Sequence, residues 1–496
     1  MWTIGLKTRT IILCSITFAF FKLSGYFEPN YRVERIEEEE DVGDFKAFIT
    51  SSYYYPKSQS LGDNALAIVM NINQKRRHWF DKTLYEIEKK PLITIRAINL
   101  TSTKIITTSY ERITLAGNKC LLPSVFLTVQ ILPNTLSVEF LGDNQQNSVA
   151  IPFSIPPTTK YDVVVCITPI FVAENWQTFL FAMHIYKKFG AFVNLYYISS
   201  IDSFFDLIRI YEDAGYLTIQ PWVTIKMIGV DKNELDAFQQ VEFRNQAASQ
   251  TDCILKYKET AKFVACLDMD DILIPKLAPT FIEEFNILLK NAKENSYLIY
   301  PKQDFYGLTV NNFNNFSVSS MFESLEQQNC TKSGKIVTDP RMINYTWIHF
   351  SQQKVRRIKV KGNNITHLKK LEWLESFPKS NKLSNISIMN EMNVLKDIEE
   401  DWQKMRKKVD LKEPLPKEQF YAKIVRECYM INFYIYLYAK VTPPLCSGPH
   451  YCEYPQRSDI KCVHSDARYD YVPQMSPITY YFAVHPRFNS SYGCYS

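Results

Sequence analysis

The segment KFVACLDMDDILIP, residues 262–275, gives the clearest indication of the fold. Residues 263–267 are apolar without helical periodicity, a pattern typical of a buried strand in a parallel sheet. Three carboxylates follow this run at once: Asp268, Asp270 and Asp271. Because ligands of open α/β sheets bind just beyond the carboxyl ends of the strands, these aspartates are predicted to lie in a functional site.

Three acids at the end of one buried strand repel one another, and a site with little water strengthens the repulsion. A divalent cation would offset it, and carboxylate oxygens are ligands that Mn²⁺ and Mg²⁺ accept. Few protein ligands are then needed, because a substrate diphosphate can supply the others. The alternative is a solvated loop, or a cap for the helix predicted to begin near Leu277.

Strands and helices alternate around this segment. The pattern predicts strands at 163–167, 192–198, 217–223, 263–267 and 297–300, and helices at 173–189, 203–214, 238–258 and 277–293. Such a series predicts an α/β fold with a mainly parallel sheet flanked by helices. Two surface helices are predicted further on, at 369–377 and 390–408. No G-x-G-x-x-G and no P-loop is present, so neither of those nucleotide folds is predicted.

The regions on either side have different patterns. Residues 28–60 are acidic and then polar, which predicts a stem. Residues 61–157 contain short β-like runs separated by turn residues and predict a small β-rich domain. Residues 441–496 are rich in Cys, Tyr and Pro and predict an extension held by disulfides.

The N-terminus has the pattern of a membrane signal. Residues 11–27 are apolar apart from Lys22 and long enough for a short transmembrane anchor. Basic residues within 1–10 and an acidic run at 37–41 predict a cytoplasmic tail and a luminal remainder. The expectation is a single-pass type II membrane protein of the Golgi or another secretory-pathway membrane. The alternative is a cleaved signal peptide, although no small-x-small site follows the apolar run.

The cysteine content suits an oxidising compartment, since 11 cysteines occur and only Cys14 lies in the apolar span. Cys166 and Cys266 lie in apolar runs and are predicted to be buried thiols. Near the C-terminus disulfides are favoured over zinc, because no C-x-x-C spacing exists among Cys446, Cys452, Cys462 and Cys494. The net charge of +5 is spread without a basic stripe, so no nucleic-acid partner is predicted.

Four blocks of sequence resemble glycosyltransferase family 92, a former domain of unknown function that is expanded in nematodes: 163–198, 215–222, 242–275 and 339–350. The resemblance covers residues 160–440, which would form the catalytic domain. It implies a GT-A-like nucleotide-sugar-binding domain that performs metal-dependent, inverting transfer of a hexose. Characterised relatives move galactose from UDP-galactose onto fucose of N-glycans. A UDP-sugar donor and a glycan or glycoprotein acceptor are therefore implied.

The resemblance also implies roles for single residues. Asp268 and Asp270 match the family's metal-binding aspartates, and the cofactor would be Mn²⁺ or Mg²⁺. His349 matches a histidine in the later block that would supply a further ligand; the alternative is a half-buried structural histidine. The cation would neutralise charge that develops on the departing UDP.

The candidates for contacts with the nucleotide are Glu174, Arg244, Gln246 and Asp252. For Glu174 the alternative is an acid at a helix N-terminus, and for Asp252 it is a structural hydrogen bond. An inverting transfer needs a carboxylate that takes a proton from the acceptor hydroxyl. Asp304 is the candidate for this base. Asp271, which could also bind sugar hydroxyls or orient the other acids, is the alternative.

Two other functions are open at this stage. LDMDDIL also resembles the D-x-D signature of haloacid-dehalogenase-like phosphatases, whose first aspartate is a nucleophile. Here the motif follows the fourth strand of the series instead of the first, and the later Gly-Asp acidic motif is absent. A catalytically silent glycan-binding protein could keep the same fold, but the intact Asp268 and Asp270 argue against it.

Overall fold

The computed structural model describes residues 45–73, 91–115, 119–142, 147–232, 235–290, 296–378, 391–448, 452–455, 457–471 and 477–495. The predicted cytoplasmic tail, the predicted span at 11–27 and the first part of the predicted stem lie outside these ranges. Within them, every helix is too short or too polar to cross a membrane.

The strands, in chain order, are β1 (Phe45–Tyr55), β2 (Ala65–Ile72), β3 (Ile93–Ile98), β4 (Thr103–Thr108), β5 (Glu111–Arg112), β6 (Ser124–Gln130), β7 (Ser137–Leu141), β8 (Ser148–Ala150), β9 (Tyr161–Ile170), β10 (Ala191–Tyr197), β11 (Ser199–Ile201), β12 (Leu217–Pro221), β13 (Ala261–Leu267), β14 (Asp271–Ile272), β15 (Ser296–Val310), β16 (Glu326–Thr338), β17 (Arg356–Lys359), β18 (Ile365–Leu374), β19 (Lys461–Tyr471) and β20 (Ile478–Tyr492).

The α-helices are α1 (Trp176–Lys188), α2 (Asp202–Asp213), α3 (Gln246–Lys256), α4 (Phe281–Leu289), α5 (Val318–Glu323), α6 (Glu391–Arg406), α7 (Ala422–Tyr429) and α8 (Ile435–Tyr438). A π-helical turn, Met430–Tyr434, joins α7 to α8, and 3₁₀ turns occur at Glu242–Asn245 and Phe313–Asn315.

A nine-stranded sheet contains the segment that the sequence singled out. Its order is β12-β10-β9-β13-β16-β15-β18-β14, with β17 beside β15. The strands β12, β10, β9 and β13 are mutually parallel, whereas β16 runs antiparallel to both β13 and β15. The predicted α/β fold is confirmed, and the parallel part is completed by antiparallel strands that the sequence pattern did not predict.

Both faces of the parallel strands are covered by helices, which explains their continuous apolar sequence. Val163, Val165 and Ile167 of β9 pack in one core with the apolar residues of α1. The alternate residues Val164 and Cys166 pack in a second core with α3. The sheet is therefore the middle layer of a three-layer arrangement, and the carboxyl edge of its parallel strands is where such sheets bind ligands.

A seven-stranded sheet has the order β11-β19-β20-β1-β2-β6-β5, and β4-β3-β7-β8 form a third sheet. Residues 45–55, predicted to belong to the stem, instead form the central strand β1, parallel to β20 and antiparallel to β2. The predicted C-terminal extension is likewise different, because β19 and β20 pair as a long hairpin within this sheet. The pairing of β1 with β20 joins segments more than 400 residues apart in the chain, which a local sequence pattern does not reveal.

Two predicted helices differ from the structure. Residues 369–377 were expected to be helical, but β18 extends through most of them because it pairs with β15 over nine residue pairs. This pairing overrides the helical propensity of its Lys, Leu and Glu residues. The helix predicted at 238–258 begins only at Gln246, because Phe243, Arg244 and Asn245 have positive φ angles.

The described part of the chain contains four disulfides: Cys120–Cys446, Cys166–Cys253, Cys428–Cys452 and Cys462–Cys494. The prediction of disulfides near the C-terminus is confirmed. The prediction of a buried free thiol is confirmed for Cys266 but is wrong for Cys166, whose neighbour on α3 is a cysteine. The bond between Cys166 and Cys253 crosses from β9 to the helix that packs on it.

His464 on β19 makes the stability of the fold dependent on pH. Its ring is 2% exposed, stacks on Tyr495 with 3.7 Å between ring centres, and accepts a hydrogen bond from the Tyr495 backbone N–H at 3.2 Å. Burial lowers its pKa from 6.5 to about 4, so the folded protein disfavours the charged ring. The unfolded chain takes up this proton first, and stability is lost as the pH falls from 6.5 towards 4.

His464→Asn should therefore flatten the decline of unfolding free energy over this pH window. One pKa unit is worth about 1.4 kcal/mol, which makes about 3 kcal/mol an upper bound for the change. Urea unfolding at a series of pH values measures it. His485→Asn, at an exposed position of β20, is the control; an unchanged slope in His464→Asn would contradict the assignment.

Candidate active site

Asp268 lies at the carboxyl end of β13, where the strands on both sides contribute partners. Its Oδ1 accepts hydrogen bonds from Thr168 of β9 at 2.8 Å, from Gln246 at 2.7 Å and from Lys335 of β16 at 2.8 Å. Because β9, β13 and β16 are neighbours in the sheet, their ends bring these groups to one point. Gln246, predicted to contact nucleotide, holds Asp268 in this structure.

Asp271 is fully buried and has two basic partners. Its Oδ2 lies 2.8 Å from the Lys302 ammonium, and its Oδ1 lies 2.9 Å from Nδ1 of His367. The backbone explains the second contact, because Asp271 and His367 are paired residues of β14 and β18. The Asp271 N–H also donates to the Asp268 carbonyl at 3.0 Å, which closes a tight turn around Asp270.

Asp270 is the aspartate that faces solvent, with 48% of its side chain exposed. Its Oδ2 lies 3.9 Å from Nδ1 of His367. Within the described ranges, the group of acids and histidines close enough to hold a metal ion consists of Asp270, Asp271 and His367, whose candidate ligand atoms all lie within 4.8 Å of one another. Two carboxylates and an imidazole are donors that Mn²⁺ accepts, so the residues fit a divalent cation.

The lysines of this site were missed by sequence reasoning. Lys335 is 1% exposed and Lys302 is 8% exposed, and the Lys302 ammonium also lies 3.7 Å from Oδ2 of Asp268. They belong to the antiparallel strands β16 and β15, in which a lysine gives no signal of a site. Only the pairing of these strands, which places Tyr300 opposite Lys335, brings both ammonium groups to the end of β13.

These charges set the protonation of the aspartates. Burial alone would raise the pKa of Asp271, but Lys302 and His367 hold it well below its ordinary value. The pKa of Asp268 is lowered as well, because Lys335 and Lys302 outweigh the effects of burial and of Asp271. Partial burial raises the pKa of Asp270, and the Asp271 carboxylate adds to the rise, although His367 opposes it. Asp268 and Asp271 are therefore ionised at neutral pH.

His349, the predicted third metal ligand, lies outside the Asp270–His367 group. Its Nδ1 donates to the carbonyl of Gly334 at 2.9 Å, which leaves Nε2 as the nitrogen with a free lone pair. Burial lowers its pKa to about 4, and Lys335 adds to the shift, so the ring is neutral. Gly334 is needed here, because a Cβ would collide with the Tyr300 carbonyl of the adjacent strand.

Glu174 and Arg244 have positions unlike those predicted. The Glu174 carboxylate is buried and accepts the backbone N–H groups of Phe420, Tyr421 and Ala422 at 2.7 to 3.2 Å. It thereby satisfies the N-terminus of α7, a helix distant in sequence, instead of that of its own helix. Arg244 is buried with its guanidinium 4.3 Å from the ring centre of Phe238, and burial lowers its pKa to about 10.

Asn245 links the site to the seven-stranded sheet. Its side chain donates to Asn71 of β2 at 2.7 Å and accepts from Ser124 of β6 at 2.8 Å. Asparagine tolerates the left-handed conformation that the chain has at 245, whereas Phe243 and Arg244 in the same conformation are strained. This turn sets the start of α3 and thereby places Gln246 against Asp268.

Asp304, the predicted base, is fully buried on β15. Its two oxygens lie 3.1 Å from Lys332 and 3.1 Å from Lys369. Burial would raise its pKa, but hydrogen bonds from these lysines bring it below its ordinary value. The base assignment stays a prediction for Asp304 and for Asp271.

Comparison with known proteins shows the family. The sequence profile described as glycosyltransferase family 92 matches residues 161–406. A family 92 protein of Caenorhabditis elegans is 42% identical over 91% of this chain and 90% of its own length. A second from the same organism is 33% identical over 97% and 96%, and a third is 34% identical over 90% and 89%. The class is thus that of a glycosyltransferase, and the chain belongs to glycosyltransferase family 92.

Among solved structures, S. aureus TarS 1–349 in complex with UDP-GlcNAc covers 48% of this chain and 65% of its own length. The TM-score is 0.23 at 13% identity, which is too low to support any statement about this chain. Family membership favours a transferase over the phosphatase and the silent glycan-binding protein that the sequence had left open.

Asp252, predicted to contact nucleotide, has structural partners. Its Oδ1 accepts from Tyr53 of β1 at 2.9 Å, and its Oδ2 accepts from Tyr196 of β10. Asp252→Asn should lower the free energy of unfolding by about 2 kcal/mol, because hydrogen bonds to a charged group are lost, and should leave nucleotide affinity unchanged. Urea unfolding and nucleotide titration measure the two effects. Tyr53→Phe is the matched variant and should lose stability too; a weaker nucleotide affinity in Asp252→Asn with normal stability would restore the original prediction.

Proposed function

We propose that the protein transfers a hexose from a UDP-sugar to a glycan, with a divalent cation bound at the end of β13. The observation that carries this proposal is the half-exposed Asp270 beside His367, at the carboxyl edge of the parallel strands where α/β sheets bind ligands. Family membership supports the transfer of a sugar. By the resemblance, the donor is UDP-galactose and the acceptor is fucose on N-glycans, with inversion at the transferred carbon.

Some residues of the site hold the aspartate carboxylates in place, and others would bind the cation. Lys335, Thr168 and Gln246 fix the Asp268 carboxylate, and Lys302 with His367 fixes that of Asp271. Asp270 and His367 would hold Mn²⁺ or Mg²⁺, with Asp271 behind His367 as the group that orients its ring. When bound, the cation would supply an electrophile for the diphosphate of the donor. His349 is proposed as a further ligand of this cation.

The proposed location is the lumen of the secretory pathway, with a type II anchor at residues 11–27. Four disulfides support an oxidising compartment. The donor and the acceptor are the proposed partners, together with the membrane that would hold the anchor.

Calorimetric titration of UDP into the purified full-length chain tests the donor site. UDP is expected to bind in Mn²⁺ and to lose affinity in EDTA. Asp270→Asn should weaken binding by roughly tenfold or more, because one charge next to the cation is removed. Asp459→Asn, with a side chain 64% exposed and paired with Arg457, is the control. Equal UDP affinity in Mn²⁺ and in EDTA would contradict metal-assisted donor binding.

Asp304 is proposed as the general base that accepts the proton of the acceptor hydroxyl. Lys369, which is 41% exposed, shields one of its oxygens and would have to move aside for the acceptor. Asp304→Asn should reduce transfer by about 10² to 10⁴, the contribution of a general base, and should leave UDP and Mn²⁺ binding intact. A transfer assay with UDP-galactose, beside the UDP titration, measures both. Near-normal transfer would rule out Asp304 and leave Asp271 as the candidate.

A further inference from the structure

The charges of three aspartates in and near the site are already balanced by the protein's own side chains. Within the described residues, three carboxylates form ion pairs with four ammonium groups: Asp268 with Lys302 and Lys335, Asp271 with Lys302, and Asp304 with Lys332 and Lys369. His367 lies beside Asp270 and Asp271. The repulsion between Asp268 and Asp271, which would favour a metal ion in an uncompensated site, is thus already offset.

Lys302 has the central position among these groups. Its ammonium lies 2.8 Å from Oδ2 of Asp271 and 3.7 Å from Oδ2 of Asp268, so it bridges two of the three acids of the motif. It is 8% exposed, and a buried ammonium without such partners would be strongly unfavourable. The three charges therefore hold one another in place in the metal-free protein.

A divalent cation bound at Asp270 and His367 would also lie near Asp271, whose Oδ2 is 2.8 Å from the Lys302 ammonium. Two like charges beside the same carboxylate repel strongly in a site with little water. A diphosphate changes the balance, because it brings negative charge to the cation and additional oxygen ligands. The same diphosphate oxygens can accept hydrogen bonds from a lysine ammonium.

We infer that Lys302 acts as a resident counter-cation, so that the divalent cation binds together with the nucleoside diphosphate and not before it. This inference rests on the proposed function and deepens it, because it attributes the order in which the cation and the diphosphate bind to the Lys302 side chain. Binding linkage is reciprocal, so UDP must raise the affinity for the cation by the factor by which the cation raises the affinity for UDP.

Titration of Mn²⁺ into the full-length chain, with and without saturating UDP, tests the inference. The wild-type protein should bind Mn²⁺ at least roughly tenfold more tightly in the presence of UDP. Lys302→Met should bind Mn²⁺ roughly tenfold more tightly than wild type when UDP is absent. Lys369→Met is the matched control, because it also removes a lysine charge from this cluster. The partner of Lys369 is Asp304. The affinity of this variant for Mn²⁺ without UDP should therefore stay near that of the wild-type protein.

Equal affinity of the wild-type protein for Mn²⁺ with and without UDP would overturn the inference while leaving metal-assisted donor binding intact. Failure to bind UDP even in Mn²⁺ would overturn the proposed function, and the inference with it. Should Lys302→Met fail to fold, the wild-type pair of titrations decides the question alone. Thermal unfolding gives a second readout: Mn²⁺ without UDP should leave the wild-type midpoint unchanged, and a clear rise would contradict the inference.

Discussion

The ion pairs of Lys302 and Lys335 with the aspartates at the end of β13 are the interactions on which the site depends. Asp268 and Asp271 each have an ammonium at 2.8 Å, and both lysines are more than nine-tenths buried. Removing one member would leave an uncompensated charge in a poorly hydrated place, which is strongly destabilising. Since the lysines come from β15 and β16, the antiparallel strands are as necessary to the site as the parallel ones that end in it.

The seven-stranded sheet positions a second part of the same site. Asn71 and Ser124 hold Asn245 in a left-handed turn, and Gln246 directly after it binds Asp268. Tyr53 of β1 donates a hydrogen bond to Asp252, six residues after Gln246 on α3. Because β1 pairs with the C-terminal strand β20, the two ends of the described chain belong to the sheet that contacts this helix through β1. The flanking regions therefore contribute to the geometry of the site.

How far the sequence could predict this structure depended on where the partners of each residue lie. The strands β9, β10, β12 and β13 are buried by neighbouring helices, so their apolar runs could be read locally, and Asp268 to Asp271 followed from the end of β13. Lys302 and His367 could not be found this way, because only the pairing of β15 with β18 and of β14 with β18 brings them to Asp271. The same non-local pairing turned the helix expected at 369–377 into a strand.

A cation and a nucleoside diphosphate are proposed to bind together at the edge of the sheet beside Asp270. The most direct measurement is a crystal structure of the protein grown with Mn²⁺ and UDP, with anomalous scattering used to locate the metal. We expect one Mn²⁺ peak beside Asp270 and His367, close to the UDP phosphates, with Lys302 still beside Asp271. UDP bound elsewhere, or bound at this edge without any metal peak, would contradict it.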